Sequence, residues 1–168
     1  MHLALPPGHG SRTRHHSDQS FGEVPVTGPG LRRSVLIVDD EESVRQGLTS
    51  ILESEQVEVK TAAGLREAER FLRAGCFDLI VTDLRMSGPF CFEGLEVIWR
   101  ARERSPATQV VLFTAYGTRE VAEAARRLGA ADCWSKSMPI SEIVERCRAL
   151  GIPVGAKRDG SPFPGGVR

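Results

Sequence analysis

The chain has 168 residues, of which 40% are hydrophobic and 26% are charged, and its 22 basic residues balance its 22 acidic ones. This composition predicts one soluble domain with an ordinary core. The apolar runs are too short to span a membrane, the N-terminus lacks the unbroken apolar stretch of a secretion signal, and the core has no basic stripe. We therefore expect a cytoplasmic protein that binds neither membranes nor nucleic acids.

Glycine, proline and charge divide the chain into three parts. Residues 1–33 and 151–168 are rich in glycine and proline and carry a net positive charge. Residues 34–150 are poor in both and carry a net negative charge. This division predicts one acidic globular domain over residues 34–150, with a disordered tail on each side.

The four cysteines have spacings that suit neither a common zinc site nor a dense disulfide framework. No two of them form a Cys-x-x-Cys pair. We therefore expect reduced and buried thiols at Cys76, Cys91, Cys133 and Cys147.

Strand and helix patterns alternate from the start of the domain. A continuous apolar run at 35–38 predicts a strand buried on both faces, and apolar residues at helical spacing over 44–52 predict a helix after it. Residues 57–61 alternate like an outer strand, and a second helical stripe over 65–72 ends at Gly75.

The second half of the domain repeats this alternation three times. Apolar runs followed by helical stripes occupy residues 79–83 and 95–99, 110–114 and 121–128, and 133–135 and 140–150. Five strand–helix units in succession predict an α/β fold with a five-stranded parallel sheet and helices on both faces, the doubly wound (βα)5 arrangement.

Polar side chains follow four of the five predicted strands. The first strand ends at Asp39 and Asp40, the third at Asp83, the fourth at Thr114 and the fifth at Lys136. The carboxyl ends of parallel strands form the functional crevice of such sheets, so these side chains are expected to converge. Each of them alone is more often a cap, a strand former or a surface residue. Their coincidence favours a shared site.

These residue types suit phosphoryl transfer with a divalent cation. Three clustered carboxylates repel one another unless a cation neutralises them, and Mg²⁺ prefers oxygen ligands. The ammonium and hydroxyl groups can stabilise the oxygens of a phosphoryl group in transfer. A carboxylate can itself be the nucleophile, and Asp83, on the predicted central strand, is the best placed.

Four segments of the chain resemble the receiver domain of two-component response regulators. They are residues 35–41 (VLIVDDE), 81–86 (VTDLRM), 113–117 (FTAYG) and 128–130 (LGA). The resemblance covers residues 34–150 and implies the flavodoxin-like fold. It also implies that the domain accepts a phosphoryl group from a histidine kinase or a histidine phosphotransferase.

The resemblance implies a phosphoacceptor and a set of metal ligands. Asp83 would accept the phosphoryl group. Asp40 and Asp83 would bind Mg²⁺ together with the backbone carbonyl of Arg85, and Asp39 would act through a metal-bound water.

The resemblance assigns the remaining site residues to the phosphoryl group itself. Thr114 would bond one of its oxygens and Lys136 would pair with its charge. Thr114 and the loop after it would shift on phosphorylation and alter the face formed by the fourth helix, the fifth strand and the fifth helix. Arg85 and Tyr116, each two residues beyond a site residue, would flank the path of the hydrolytic water and slow the loss of phosphate.

The chain departs from the family pattern at three places. The loop from Met86 to Gly94 is about three residues longer than usual and carries two aromatics, which indicates either a tolerated insertion or a modified partner surface. Ser137 stands where a proline usually follows the lysine, and Cys133 occupies the position of the usual aromatic switch residue.

The pattern leaves three functions open. The leading hypothesis is a single-domain response regulator, not an enzyme, that signals by phosphorylation-dependent binding to another protein or by forming a homodimer. Only 18 residues follow Leu150, and all four histidines lie in the first 16 residues, so donor and output are expected on other proteins. The second is a degenerate receiver that binds partners without phosphorylation. The third is a phosphatase of the haloacid-dehalogenase type, which needs Asp-x-Asp where Asp39 and Asp40 are adjacent.

Overall fold

The computed structural model describes residues 32–88 and 90–154. Five strands and five helices alternate without interruption along this part of the chain, as the sequence predicts. They are β1 (Arg33–Val38), α1 (Glu42–Leu52), β2 (Val57–Ala62), α2 (Leu65–Ala74), β3 (Leu79–Thr82), α3 (Glu93–Arg104), β4 (Gln109–Thr114), α4 (Arg119–Arg127), β5 (Asp132–Ser135) and α5 (Ile140–Ala149).

The five strands form one parallel sheet in the order β2-β1-β3-β4-β5. The chain moves from β1 to the edge strand β2, then crosses to β3 on the other side of β1. This reversal leaves a crevice beyond the carboxyl ends of β1 and β3, where ligands bind in open α/β sheets. The prediction that β3 is the central strand and β2 an outer strand is confirmed.

Helices cover both faces of the sheet, which confirms the doubly wound arrangement. Alternate residues of β1 point to opposite faces, because side chains in a strand alternate. Leu36 and Val38 pack in the layer of α2, α3 and α4, whereas Val35 and Ile37 pack in the layer of α1 and α5. All four side chains are fully buried, which explains why β1 reads as a continuous apolar run.

The packed part of the chain is longer than the expected 34–150 at both ends. Arg33 already belongs to β1 and pairs in register with Val57. Beyond α5, Ile152 and Val154 are buried in the layer of α1 and α5. The two tails expected to be disordered otherwise lie outside the described residues. No helix in the described part of the chain is long and apolar enough to cross a membrane.

The prediction of buried thiols is correct only for Cys147, whose burial raises the pKa of its thiol to about 12. Cys133 is half-buried, while Cys76, after α2, and Cys91, in the loop before α3, are exposed. All four are free thiols, as expected. The prediction failed because it used the average burial of cysteine, which carries no information about loops.

Candidate functional site

The carboxyl ends of three strands bring buried polar side chains together. Val38 of β1 is in register with Thr82 of β3, so the residues that follow them, Asp39 and Asp83, are neighbours. The backbone N–H of Asp83 donates to the carbonyl of Val38 over 2.8 Å, which extends the ladder by one residue. Asp39, Asp83 and Thr114 are all buried. The sheet register therefore places these side chains, as the strand pattern predicts.

Lys136 reaches this group from the end of β5. Its Nζ lies 2.9 Å from Oδ2 of Asp39, 2.9 Å from Oε1 of Glu41 and 3.6 Å from Oδ1 of Asp83. Burial alone lowers the pKa of Lys136, but its contacts with Glu41 and Asp39 outweigh burial and raise it. The same contact lowers the pKa of Glu41. The lysine is therefore a stable cation beside three carboxylates.

Glu41 is the site residue that the sequence did not single out. It follows Asp39 and Asp40 directly, and this run of acidic residues after β1 is the one sequence feature that points to Glu41 as a site residue. Its side chain is 59% exposed, yet it shares the lysine with the buried Asp39. An acidic run after a strand does not reveal which of its members faces a cation 95 residues away.

Three carboxylates form a pocket suited to a divalent cation. Oxygen atoms of Asp39, Asp40 and Asp83 lie within 4.8 Å of one another, with Asp40 exposed to solvent. Oδ2 of Asp39 is buried and, apart from its ion pair with Lys136, finds no hydrogen-bond partner among the described residues. Burial raises the pKa of Asp39, and Lys136 opposes this rise. Clustered carboxylate oxygens of this kind fit Mg²⁺, which prefers oxygen ligands.

Lys136 is held in place without the usual proline after it. The side-chain hydroxyls of Ser135 and Ser137 lie 2.7 Å apart, and the backbone N–H of Ser137 donates to the Ser135 hydroxyl over 3.2 Å. The N–H of Lys136 itself donates to the carbonyl of Thr114 over 3.1 Å. Serine hydrogen bonds therefore shape this turn and deliver the ammonium group to the pocket.

Cys133, at the usual aromatic switch position, and the next residue, Trp134, face opposite layers. Cys133 packs on the side of α3 and α4. Trp134 is buried on the side of α1 and α5, where its Nε1 donates to Asp132 over 2.7 Å. Because Trp134 lies in the other layer, it does not replace an aromatic side chain at Cys133.

The loop after Asp83 forms the rim of the pocket. At its end Gly94 packs so closely that a Cβ there would lie 2.1 Å from the carbonyl oxygen of Asp83. The N–H of Met86 donates to Oε2 of Glu93 over 3.3 Å. This hydrogen bond ties the start of the loop to its end. Phe90 and Phe92 are 89% and 46% exposed. The two phenylalanines are therefore exposed to solvent between two fixed ends of the loop.

Arg85 of this loop and Tyr116, in the loop after β4, meet at the rim. The guanidinium carbon of Arg85 lies 4.6 Å from the ring centre of Tyr116 and 5.5 Å from that of Phe92. The N–H of Arg85 donates to Oδ2 of Asp83 over 3.3 Å, and the N–H of Tyr116 donates to the hydroxyl of Thr114 over 3.1 Å. The structure thus brings all the predicted site residues to one edge of the sheet.

Comparisons with known proteins agree with this geometry. Residues 35–148 match the family described as "Response regulator receiver domain". The response regulator PilR of Pseudomonas aeruginosa is 32% identical over 114 residues, which are 68% of this chain and 25% of PilR. The transcriptional regulator FixJ of Azorhizobium caulinodans is 35% identical, over 68% of this chain and 53% of FixJ. The chain therefore spans about a quarter to a half of the length of these relatives.

Solved receiver domains share the fold. A CheY-like receiver domain protein from Methanospirillum hungatei has a TM-score of 0.65 at 25% identity, covering 71% of this chain and 94% of that one. The beryllofluoride-activated NtrC4 receiver domain has a TM-score of 0.62 at 33% identity, covering 70% of this chain and 94% of that one. On the family match, the sheet order and the acidic pocket together, this chain belongs to the receiver domain family of response regulators.

Proposed function

We propose that Asp83 accepts a phosphoryl group from the phosphohistidine of a histidine kinase or histidine phosphotransferase. The observation that carries this proposal is the position of Lys136, whose ammonium group lies beside both Asp39 and Asp83 in a pocket of buried carboxylates. A lysine in that position can stabilise a dianion formed on Asp83.

The transfer is a displacement at phosphorus. A carboxylate oxygen of Asp83 forms the new bond to phosphorus, and the bond to the donor imidazole breaks, with its electron pair returning to the imidazole nitrogen. Lys136 pairs with one phosphoryl oxygen, and the hydroxyl of Thr114 donates to another. Asp40, Asp83 and the carbonyl oxygen of Arg85, with Asp39 beside them, would hold Mg²⁺, which would supply positive charge that offsets the approach of two anions.

The output is a change in binding. The Thr114 hydroxyl accepts a hydrogen bond from the N–H of Tyr116, so a turn of Thr114 towards the phosphoryl group alters the loop before α4. Thr118 caps α4 through Val121, which connects that loop to the helix. We propose that the altered face of α4, β5 and α5 then binds a downstream protein in the cytoplasm or a second copy of this chain.

Loss of the phosphoryl group is slow in this proposal. Arg85 and Tyr116 stand beside Asp83 and Thr114 and restrict the approach of water. We expect the purified phosphoprotein to persist for longer than seconds after the phosphodonor is removed, as measured by intact mass.

A phosphorylation-independent interaction module is the second candidate. Cys133 at the aromatic switch position is the observation that favours it, since a thiol there cannot report the state of Thr114 as a ring would. The two candidates differ in one property, the uptake of phosphate.

The test is the intact mass of the protein after incubation with Mg²⁺ and acetyl phosphate. We expect one added phosphoryl group on the wild type and none on Asp83→Asn, which keeps the shape of the side chain and removes the nucleophile. Chelation of Mg²⁺ is the matched control and should also prevent uptake. A wild type that gains no mass and does not respond to beryllofluoride would support the second candidate.

A further inference from the structure

The added loop of this chain reaches back to the phosphorylation site through one side chain. Phe92 lies over one side of Arg85 at 5.5 Å, and Tyr116 lies over the same guanidinium group at 4.6 Å. Both distances are within the range of a cation–π contact. The three side chains form a stack that joins the loop after β3 to the loop after β4.

Both of these loops are attached to residues of the site. The N–H of Arg85 donates to the carboxylate of Asp83, and the N–H of Tyr116 donates to the hydroxyl of Thr114. The sheet closes the pocket from below, and Lys136 with Glu41 closes it on a further side. Arg85 and Tyr116 therefore border Asp83 and Thr114 on another side, which in the proposed function is the path of the hydrolytic water.

The stack holds Arg85 without hydrogen bonds at its Nε. That atom is buried and has no hydrogen-bond partner among the described residues. The ring faces of Phe92 and Tyr116 therefore contribute to holding this charge, since aromatic faces attract cations. Phe90, two residues earlier in the same loop, is 89% exposed and makes no cation–π contact within the described part of the chain.

We propose that Phe92 is a positioning residue that holds Arg85 across the path of the hydrolytic water and so prolongs the life of the phosphoryl group. This inference rests on the proposed function of Asp83. In the hydrolysis that it slows, a water oxygen bonds to phosphorus, the bond from phosphorus to the Asp83 oxygen breaks, and inorganic phosphate leaves. The carboxylate of Asp83 is restored.

The experiment compares the same substitution at two phenylalanines of one loop. Wild type, Phe92→Leu, Phe92→Tyr and Phe90→Leu are loaded with acetyl phosphate and Mg²⁺, desalted, and followed by intact mass. We expect phosphate loss about three-fold faster in Phe92→Leu, the size expected for one lost exposed cation–π contact. Phe92→Tyr keeps an aromatic face and should decay as the wild type does, and so should Phe90→Leu.

A second measurement needs no phosphate. Hydrogen exchange of a peptide covering residues 84–94 should be faster in Phe92→Leu than in the wild type and unchanged in Phe90→Leu. If the wild type takes up no phosphoryl group, the proposed function and this inference both fail. If the wild type is loaded but Phe92→Leu decays at the same rate, or both leucine variants decay faster, this inference alone is overturned.

Discussion

The floor of the site, formed by Asp39, Asp83 and Thr114, is held by the backbone of the sheet, whereas the rim, formed by Arg85, Phe92 and Tyr116, is held by contacts between side chains. The floor residues are buried, and they lie at or directly after the ends of β1, β3 and β4. The rim residues lie in loops, where chain length varies at little cost. In the proposed function, phosphoryl transfer would therefore depend on the floor and the lifetime of the phosphoryl group on the rim, two parts of the domain that are held in different ways.

The largest expected effect comes from the point where rim and floor touch. Gly94→Ala places a Cβ against the Asp83 carbonyl, and we expect a loss of about 3 kcal/mol in the free energy of unfolding, the cost of an overpacked site. Gly47→Ala, in α1 with no atom within 4 Å, should instead add about 0.5–1 kcal/mol because alanine favours the helix. Urea denaturation measures both. Equal effects of the two substitutions would contradict the close packing of Gly94 against the Asp83 carbonyl.

The second largest effect on the free energy of unfolding is expected from Lys136, the cation that stabilises the floor. Lys136→Met leaves Asp39 and Asp83 without their cation, and we expect a loss of about 2 kcal/mol, less than for a fully buried pair because Glu41 is exposed. Mg²⁺ should then raise the melting temperature of this variant more than that of the wild type. Lys60→Met, which removes an exposed lysine from β2, is the control and should change neither property. An equal response to Mg²⁺ in all three proteins would contradict the prediction.

The smallest expected effect on the free energy of unfolding comes from Glu93, which ties the end of the loop to its start. Hydrogen bonds from Ser87 and Met86 lower the pKa of Glu93 although burial raises it. A lowered pKa adds stability that is complete above the ordinary value of 4.5 and is lost as the pH falls through the lowered value. We expect Glu93→Gln to cost about 0.5–1 kcal/mol at pH 7 and nothing in strong acid.

Denaturation with urea at several pH values measures this difference. Glu103→Gln, at an exposed position of the same helix, is the matched control and should follow the wild type at every pH. A difference between Glu93→Gln and wild type that does not change with pH would assign the effect to shape rather than to charge.

The floor could be predicted from the sequence because its position depends on strand pattern alone. A continuous apolar run marks the buried strands β1, β3 and β4, and the residue at or directly after its end lies at the carboxyl edge of the sheet. This pattern predicts the places of Asp39, Asp83 and Thr114, and the end of the short strand β5 predicts Lys136 beside them. The same reasoning gave the strand succession and the central place of β3.

The rim and the ends of the domain could not be predicted to the same extent. The contact of Phe92 with Arg85 depends on how a loop folds back, and no periodic pattern encodes that. Glu41 was missed because its partner is 95 residues away. Ile152 and Val154 follow a glycine in a stretch whose composition is typical of a tail. Their packing in the layer of α1 and α5 is visible only in the structure.

The ion pairs of Lys136 bear on how the pocket would bind and release a cation and phosphate repeatedly in the proposed function. In the proposed cycle, Lys136 would act as a permanent counter-ion to Asp39 and Asp83, so the pocket would keep its shape before a cation arrives. Folding would then not depend on the supply of metal, unlike in small domains that unfold when their metal is removed. In the proposed cycle, cation and phosphate would enter and leave a preformed pocket, and each round of signalling would begin from the same state.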